Sequence, residues 1–381
     1  MFKKTKFLCD RFLEMGIPGT DLCIYKDGEC VLRYTKGFSD LENQTPLNGK
    51  ERYNIYSCSK PITCVAAMQL FEKGLFSLED KLSDYMPEFT RMTVKTSDGI
   101  KKAEKPILIE HLFQMSAGFS YDCYSQSLKK AIEDTHGKCP TREVMKYLAL
   151  EPLLFEPGTR WEYSLCHDVL AAFVEVVSGQ KFNDYVTDNI FRPLGMNDTS
   201  FIISKEEREN LASQYRFDAE KKEFINCGKG NWYVIGSEYA SGGAGCVSTV
   251  DDYIKFLEAL RTGNKILKSE TIKLMTTDRL TDELRKTYWI NERHGYGLGL
   301  RCPKEGGIYK DSGWGGAAGA YLAFDVDNGI SLFYAQHVLS SPNQGLRTDF
   351  YLTTMAELIG KKEFEELFEK KERNGEYRYT F

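Results

Sequence analysis

The chain has 381 residues, of which 42% are hydrophobic and 28% charged, the ordinary composition of a folded globular protein. Its 50 basic and 55 acidic side chains give a net charge of -5, which lacks the basic excess of a nucleic-acid-binding protein. No stretch approaches the roughly 18 apolar residues of a membrane span. The 11 cysteines are odd in number and contain no Cys-x-x-Cys pair. We therefore expect a cytoplasmic protein with free thiols, and without a metal, another cofactor, a nucleic-acid partner or a membrane partner.

The first predicted elements are a helix and a β-hairpin. Residues 1–19 are basic and amphipathic but lack an uninterrupted apolar stretch, which favours the first helix of the mature fold over a signal peptide. Residues 22–34 contain two β-rich runs joined through Asp27-Gly28, a dipeptide typical of hairpin turns.

Helical patterns dominate the middle of the chain. They cover four segments, at 108–118, 141–155, 167–179 and 248–263. The third is expected to end at Gly179 and the fourth at Gly263, because glycine is the usual residue after a helix. Thr249 and Asp252 predict a capped start for the fourth helix.

Strands return near the C-terminus, where 320–336 alternates on both sides of an Asp-Asn-Gly turn. Residues 361–381 are predicted to form a charged surface helix and tail. Hairpins at both ends predict one antiparallel sheet, and the fold class is α/β in the α+β sense, with flanking helices and an inserted all-helical domain. We assign residues 1–75 and 240–381 to the sheet domain and 76–239 to the mainly helical insertion.

A Ser-x-x-Lys pattern at Ser57 and Lys60 is the first candidate for chemistry. The pattern also occurs at 127–130 and 178–181, but only Ser57 stands at the start of an apolar helix. Pro61 is tolerated only in the first helical turn, which fixes that start near Ser57 to Ser59.

Residues three apart on a helix share a face, so Lys60 can hydrogen-bond the hydroxyl of Ser57. Burial and the positive helix end both disfavour an ammonium, so Lys60 can serve as a base, and the backbone N–H groups there can bind an oxyanion. The alternative is that Ser57 or Ser59 merely caps the helix, and this pattern alone does not decide between them. Cys58 is predicted to be an inert core residue.

Two further segments bear on this choice. Tyr163 follows a Pro-Gly turn and precedes a helix, where a tyrosine either packs in the core or relays a proton. The run Trp314-Gly315-Gly316 precedes a strand, so it is not a dinucleotide-binding loop, and its glycines allow a ligand to approach the backbone.

Taken in order, these segments resemble the serine β-lactamase and penicillin-binding-protein superfamily, most closely its class C and esterase-like branches, the latter including the family VIII carboxylesterases. Segments such as "FEPGTRWEYSLCHDVLAAFVEVVSG", "FRPLGMNDTSF" and "ASGGAGCVSTVDDYIKFL" extend the likeness over most of the chain. The resemblance implies a β-lactamase/transpeptidase-like fold with a cleft between the two domains. It makes Ser57 the nucleophile that forms an acyl-enzyme, with Lys60 and Tyr163 moving its proton. It implies an oxyanion hole from the backbone N–H groups of Ser57 and Ala317.

Two departures from the family's β-lactamases concern substrate recognition. Leu165 stands where those enzymes usually carry an asparagine, and Trp314-Gly315-Gly316 stands where they usually carry Lys-Thr-Gly. Leucine offers no amide and tryptophan no charge, so polar recognition of a β-lactam or peptide is lost. Both changes resemble the esterase branch, and we expect these four residues to contact substrate.

The leading functional prediction is a serine hydrolase that acts as a carboxylesterase on small, largely apolar acyl esters. A β-lactamase or D-amino-acid peptidase would use the same chemistry on an amide, and an acyltransferase would use another acceptor than water. A catalytically silent binding protein on the same fold is the alternative from another class.

Overall fold

The structure is a computed structural model that describes residues 1–378. The strands within these residues are β1 Gly19–Lys26, β2 Glu29–Asp40, β3 Thr45–Pro46, β4 Tyr53–Asn54, β5 Thr93–Thr96, β6 Gly99–Lys102, β7 Gln214–Asp218, β8 Glu223–Gly228, β9 Val247–Ser248, β10 Gly295–Tyr296, β11 Arg301–Cys302, β12 Ser312–Gly315, β13 Tyr321–Asp325, β14 Ile330–Ala335 and β15 Val338–Leu339.

The α-helices are α1 Lys3–Glu14, α2 Ser59–Glu72, α3 Leu82–Tyr85, α4 Ile109–Phe113, α5 Gln126–Asp134, α6 Thr141–Leu148, α7 Cys166–Ser178, α8 Phe182–Val186, α9 Arg192–Leu194, α10 Lys205–Glu209, α11 Val250–Thr262, α12 Ser269–Met275, α13 Asp282–Arg285, α14 Asp349–Thr354 and α15 Lys362–Arg373. Short 3-10 turns lie at Tyr56–Cys58 and Pro87–Arg91, and π-helical turns at Thr187–Phe191 and Met355–Ile359. Within residues 1–378, no helix combines the length and apolar character needed to cross a membrane.

An eight-stranded antiparallel sheet joins the two ends of the chain, in the order β10-β11-β12-β13-β14-β1-β2-β3. The β1–β2 hairpin turns at Asp27-Gly28 and β13–β14 forms the second predicted hairpin. The hairpins meet where Asp21 to Lys26 of β1 pairs with Ala335 to Ile330 of β14. The predicted fold class, an antiparallel sheet flanked by helices, is therefore confirmed.

The sheet carries a hydrophobic core on each face, because successive side chains of a strand point to opposite sides. On β14, Leu332 and Tyr334 face the core that contains α1, α14 and α15, and Phe333 faces the core that contains α11. The ring of Phe333 stacks on Tyr253 of α11 with 4.2 Å between centroids. The sheet is therefore buried on both sides by helices.

Helix α15 differs from the exposed helix that its charge pattern predicts. Phe364 and Phe368 on this helix are buried in the core beneath the sheet. The last residues of the predicted tail, 379–381, lie outside the described residues.

The helical part of the chain has its own packing, centred on the contact between α2 and α7. Helix α7 ends at Ser178, and Gly179 follows in the left-handed conformation with a φ of 71°. This is the end that the sequence predicts for the helix. Thr249 accepts a hydrogen bond from the N–H of Asp252 at 3.0 Å and caps α11. The division at 75/76 and 239/240 stays a prediction.

Two of the helices predicted in this part are shorter than their sequence patterns. Helix α4 ends at Phe113 and α6 at Leu148. After α4, Met115 and Gly118 both adopt positive φ, which breaks the helical path.

Candidate active site

The start of helix α2 places Ser57 at a sharp turn. Tyr56, the residue before it, has a φ of 47°, a left-handed value that is costly for a bulky residue. A 3-10 turn at Tyr56–Cys58 then leads into the helix. Ser57 is 8% exposed and faces a cavity, while Cys58 is fully buried and burial raises the pKa of its thiol to about 12. The side chain of Ser57 is thus presented to the cavity from an otherwise buried element.

Ser59, one of the two serines that could have capped this helix, does not cap it. Its hydroxyl donates backwards to the carbonyl of Tyr56 at 2.5 Å and accepts from the N–H of Cys246 at 2.9 Å. Cys58, the N-cap residue of α2, makes no side-chain capping hydrogen bond. Ser59 therefore ties the turn that contains Ser57 to the loop before β9.

Lys60 lies one helical turn beyond Ser57 and is fully buried. Its Nζ donates to the Oγ of Ser57 at 3.2 Å, to the hydroxyl of Tyr121 at 3.3 Å and to the carbonyl of Gly243 at 2.8 Å. The ring of Tyr163 lies 4.4 Å from Nζ, a cation–π distance. The amine is therefore fixed against the serine hydroxyl without contact with bulk water.

Tyr163 is held in this site by Trp314. The indole N–H of Trp314 donates to the hydroxyl of Tyr163 at 3.2 Å, and the two rings stack with centroids 5.8 Å apart. Because Trp314 is on β12 and Tyr163 precedes α7, this contact brings the sheet and the helical part together at the site.

A cavity of about 330 Å³ opens over Ser57. Six of its lining residues are aromatic: Tyr121, Tyr163, Tyr233, Trp289, Trp314 and Tyr321. The wall also contains two arginines, Arg301 and Arg347, and the residues Gly315, Gly316 and Ala317, which we call the strand head because they lead into β13. The structure thus brings all but one of the predicted substrate-binding and oxyanion-hole residues to one cavity, with Lys60 directly behind it.

Leu165 is the exception. It is 2% exposed, lies at the N-cap of α7 and packs in the hydrophobic core. Its N–H donates to the carbonyl of Ser120 at 3.1 Å, which fixes the backbone with the side chain turned inward. The expectation that Leu165 contacts substrate is therefore corrected, since its side chain does not line this cavity.

The strand head is fixed against the turn that contains Ser57. The N–H of Gly316 donates to the carbonyl of Ala320 at 2.7 Å. Arg347 donates from Nη1 to the carbonyls of Gly316 and Ala320 at 3.0 and 3.1 Å. A Cβ on Gly316 would lie 2.4 Å from the carbonyl oxygen of Ile55, so only glycine allows this approach. Ala317 follows directly and lines the same cavity as Ser57.

The two arginines of the cavity differ in their partners. Arg301 forms a buried ion pair with Asp311. Burial alone would raise the pKa of Asp311, but the charge of Arg301 and the contact with His294 lower it to about 2. Arg347 instead donates to backbone carbonyls, and burial lowers the pKa of its guanidinium. The charge of Arg301 is thus neutralised within the protein.

Sequence reasoning missed Tyr121 and Arg347. Tyr121 lies just beyond the segment 108–118, which the sequence predicts only to be helical. Its position beside Lys60 depends on a loop path with no periodic pattern. Within residues 1–378, no group of three or more metal-ligating side chains is placed to hold a metal ion.

An antiparallel sheet with flanking helices, joined to a helical part by a Ser-x-x-Lys turn at the cleft, defines the β-lactamase/transpeptidase fold. The beta-lactamase family profile matches residues 8–352, and the chain belongs to that family.

Known relatives span most of the chain. It is 27% identical to esterase EstB of Burkholderia gladioli over 348 residues, which cover 84% of this chain and 86% of EstB. The solved structure of EstCE1, described as a hydrolase with promiscuous acyltransferase activity, is 25% identical, with a TM-score of 0.75 and coverage of 91% of this chain and 96% of EstCE1. A D-amino acid amidase from Ochrobactrum anthropi SV3 shares the fold, at 20% identity and a TM-score of 0.71, over 92% of this chain and 98% of the amidase.

Proposed function

We propose that this protein is a serine hydrolase that forms an acyl-enzyme on Ser57, and that it acts as a carboxylesterase on small, largely apolar acyl esters. The observation that carries the proposal is the buried hydrogen bond from Lys60 Nζ to Ser57 Oγ at 3.2 Å. A purely structural lysine has no need to be buried against a serine at the floor of a cavity, because burying an amine is costly.

In the proposed reaction, the Oγ of Ser57 attacks the ester carbonyl while its proton passes to Lys60. The backbone N–H groups of Ser57 and Ala317 stabilise the oxyanion. Tyr163 passes a proton to the departing alkoxide, which leaves as the alcohol, and Tyr163 regains a proton from Lys60. Water then attacks the acyl-enzyme and gives a proton to Lys60. The bond from the acyl carbon to Oγ breaks, and the proton on Lys60 passes to Oγ of Ser57 as the carboxylic acid product leaves.

The walls of the cavity support an apolar acyl group. Tyr121, Tyr233 and Trp289 present aromatic surface, and Trp314 occupies the place where the family's β-lactamases carry a lysine. The names of two relatives, an esterase and a hydrolase with promiscuous acyltransferase activity, favour ester chemistry. The second name keeps transfer to an alcohol acceptor as an alternative, and the amidase fold match keeps amide hydrolysis as another.

Short-chain p-nitrophenyl esters test the proposal directly. We expect the wild type to hydrolyse them and Ser57→Ala to lose at least 100-fold in kcat/KM. A chromogenic cephalosporin and a D-alanyl dipeptide amide, assayed in parallel, should be turned over far more slowly. Preferred turnover of either amide would replace the esterase proposal with an amide hydrolase, and added methanol that diverts product to the methyl ester would reveal acyl transfer.

Labelling of Ser57 by a fluorophosphonate separates an enzyme from a catalytically silent binding protein, because the reagent needs an activated serine but no particular ester. Absence of labelling and of ester hydrolysis together would overturn the proposal.

The proposed cytoplasmic location rests on the 11 cysteines, none of which forms a disulfide bond in the structure.

A further inference from the structure

Behind Lys60 lies a buried carboxylate, Asp168, that the proposed mechanism does not use. It is on α7 and only 1% exposed. Its Oδ1 accepts hydrogen bonds from the hydroxyls of Ser241 at 2.6 Å and Tyr239 at 3.1 Å. Its Oδ2 lies against the backbone of Gly243. A carboxylate this deeply buried is costly, so Asp168 calls for a role beyond packing.

Asp168 and Lys60 approach the same glycine. A Cβ built on Gly243 would lie 2.5 Å from Asp168 Oδ2 and 3.4 Å from Lys60 Nζ. Nζ also donates to the Gly243 carbonyl at 2.8 Å. The carboxylate and the amine are thus separated by little more than one glycine, in a region without access to water, where charges interact strongly.

The loop that contains Gly243 is tied to Asp168 at a second point. Ser241, two residues earlier, donates to the carboxylate, and its own Oγ accepts from the N–H of Ala244. The carbonyl that holds Lys60 is therefore oriented by hydrogen bonds that end on Asp168.

The other titratable groups around this pair are phenols, thiols and one imidazole: Tyr121, Tyr163, Tyr239, Cys58, Cys64, Cys123, Cys166 and His167. Burial raises the pKa of the two phenols Tyr121 and Tyr239. It raises the pKa of Cys123 to about 12 and of Cys166 to about 11. Burial lowers the pKa of His167 to about 3, so this imidazole is neutral at working pH.

Asp168 is therefore the acidic side chain that faces Lys60. Burial raises the pKa of Asp168 above its ordinary value, while the hydrogen bond from Ser241 and the charge of Lys60 oppose that rise. The carboxylate and the amine accordingly stabilise each other's charged forms.

We propose that Asp168 is a positioning residue that orients Lys60 through the Gly243 loop and supplies the buried negative charge that stabilises the lysine ammonium. The charge matters when the proton of Ser57 Oγ moves to Lys60 Nζ as Oγ bonds to the acyl carbon. This inference rests on the proposed function, since it assumes that Lys60 receives that proton.

The test is the pH dependence of Ser57 labelling by a fluorophosphonate, which needs no knowledge of the natural ester. In Asp168→Asn the side chain keeps its shape and an acceptor for Ser241 but loses its charge. Without that charge, a positive charge on Lys60 loses its buried counter-charge. In the plot of labelling rate against pH, the acid limb is the range over which the rate falls as the pH falls. We expect this limb to move to lower pH by about one unit in Asp168→Asn. We also expect the rate on the plateau above it to fall about tenfold, because the base is weaker.

Asp252→Asn is the matched control. Asp252 is also a buried carboxylate on a helix, but it accepts hydrogen bonds from the hydroxyl of Thr199 and the N–H of Asp198. Its acid limb should coincide with that of the wild type. A merely structural Asp168 would lower the rate or the Tm without moving the limb, and that result would overturn the inference.

Gly243→Ala provides a second perturbation if Asp168→Asn does not fold. It keeps the carboxylate but places a methyl group between Oδ2 and Nζ, so the limb should move in the same direction by a smaller amount. An unmoved limb in a folded Gly243→Ala protein would also count against the inference. A wild type that is not labelled at all would instead refute the proposed function.

Discussion

Trp314 and Tyr163 are joined by a hydrogen bond of 3.2 Å between the indole N–H and the phenolic oxygen, although 151 positions separate them in the chain. The two rings are also close to parallel, at 22°. Trp314 therefore does more than offer apolar surface to a substrate, since it fixes the direction in which the hydroxyl of Tyr163 points.

Trp314→Phe tests this relationship, because phenylalanine keeps a stacked ring but removes the donor. A hydrogen bond between neutral groups contributes about 1 kcal/mol, so we expect kcat/KM for a p-nitrophenyl ester to fall about fivefold. The Tm should change little. Trp232→Phe, at an exposed tryptophan outside the cavity, is the control and should keep kcat/KM within about twofold of wild type. Equal kinetics for Trp314→Phe and wild type would show that the hydrogen bond is not used.

The two tyrosines beside Lys60 should differ in their contributions. Burial raises the pKa of Tyr121 well above its ordinary value, so it stays a neutral phenol that only accepts from Lys60. We expect Tyr121→Phe to lower kcat by about tenfold or less, the effect of one lost hydrogen bond. Tyr163→Phe should lower kcat by at least about 100-fold, the range of general acid–base catalysis.

Steady-state kinetics on the same ester measure which of the two variants, Tyr121→Phe or Tyr163→Phe, loses more of its kcat. Circular dichroism verifies that both variants fold. The reverse order would transfer the proton relay from Tyr163 to Tyr121.

Local patterns account for what was predictable from the sequence. Ser57 and Lys60 share a helix face, and Asp27-Gly28 turns a hairpin between neighbouring strands, so both follow from a few adjacent residues. Long-range placement was less accessible. Tyr121 reaches Lys60 along an irregular loop, and no periodicity marks such a path.

Leu165 shows a different failure, because the direction of its side chain was predicted wrongly. The residue sits at the N-cap of α7, and a backbone hydrogen bond to Ser120 turns its side chain into the core. The sequence also did not predict that Asp168 lies near Lys60. The residue between them, Gly243, is 75 positions beyond Asp168 in the chain.

Gly316 and Gly315 should respond differently to alanine, although they are adjacent. A Cβ on Gly316 would lie 2.4 Å from the carbonyl oxygen of Ile55, whereas a Cβ on Gly315 meets its nearest atom at 3.6 Å. We expect Gly316→Ala to reduce the free energy of unfolding by about 1–3 kcal/mol, because the strand head must move away from the carbonyl of Ile55 before the Ser57 turn. Gly315→Ala should remain within about 0.5 kcal/mol of wild type.

Urea denaturation measures both variants, and the fluorophosphonate labelling rate of Gly316→Ala should fall with its stability, since the moved backbone includes the neighbouring Ala317. Similar destabilisation by the two substitutions would contradict this account of the close approach.

His337 predicts how stability depends on pH. Its Nε2 accepts from the N–H of Asn54 and its Nδ1 donates to the carbonyl of Ala212, so the folded protein holds a neutral ring. Burial lowers its pKa to about 4, against about 6.5 for an exposed histidine. Between these values the unfolded chain binds one more proton than the folded protein, so stability falls as the pH falls. From pH 7 to pH 5 this loss amounts to about 2 kcal/mol.

His337→Asn removes the titrating ring, and asparagine tolerates the φ of 56° at this position. We expect the variant to be less stable than wild type at pH 7 and the difference to shrink by about 2 kcal/mol at pH 5, because only the wild type must exclude a proton from His337. Urea denaturation at the two pH values measures the difference, and His136→Asn, at an exposed histidine, is the control. A difference that stays constant between pH 7 and pH 5 would mean that the buried ring of His337 carries a proton in the folded protein as readily as in the unfolded chain.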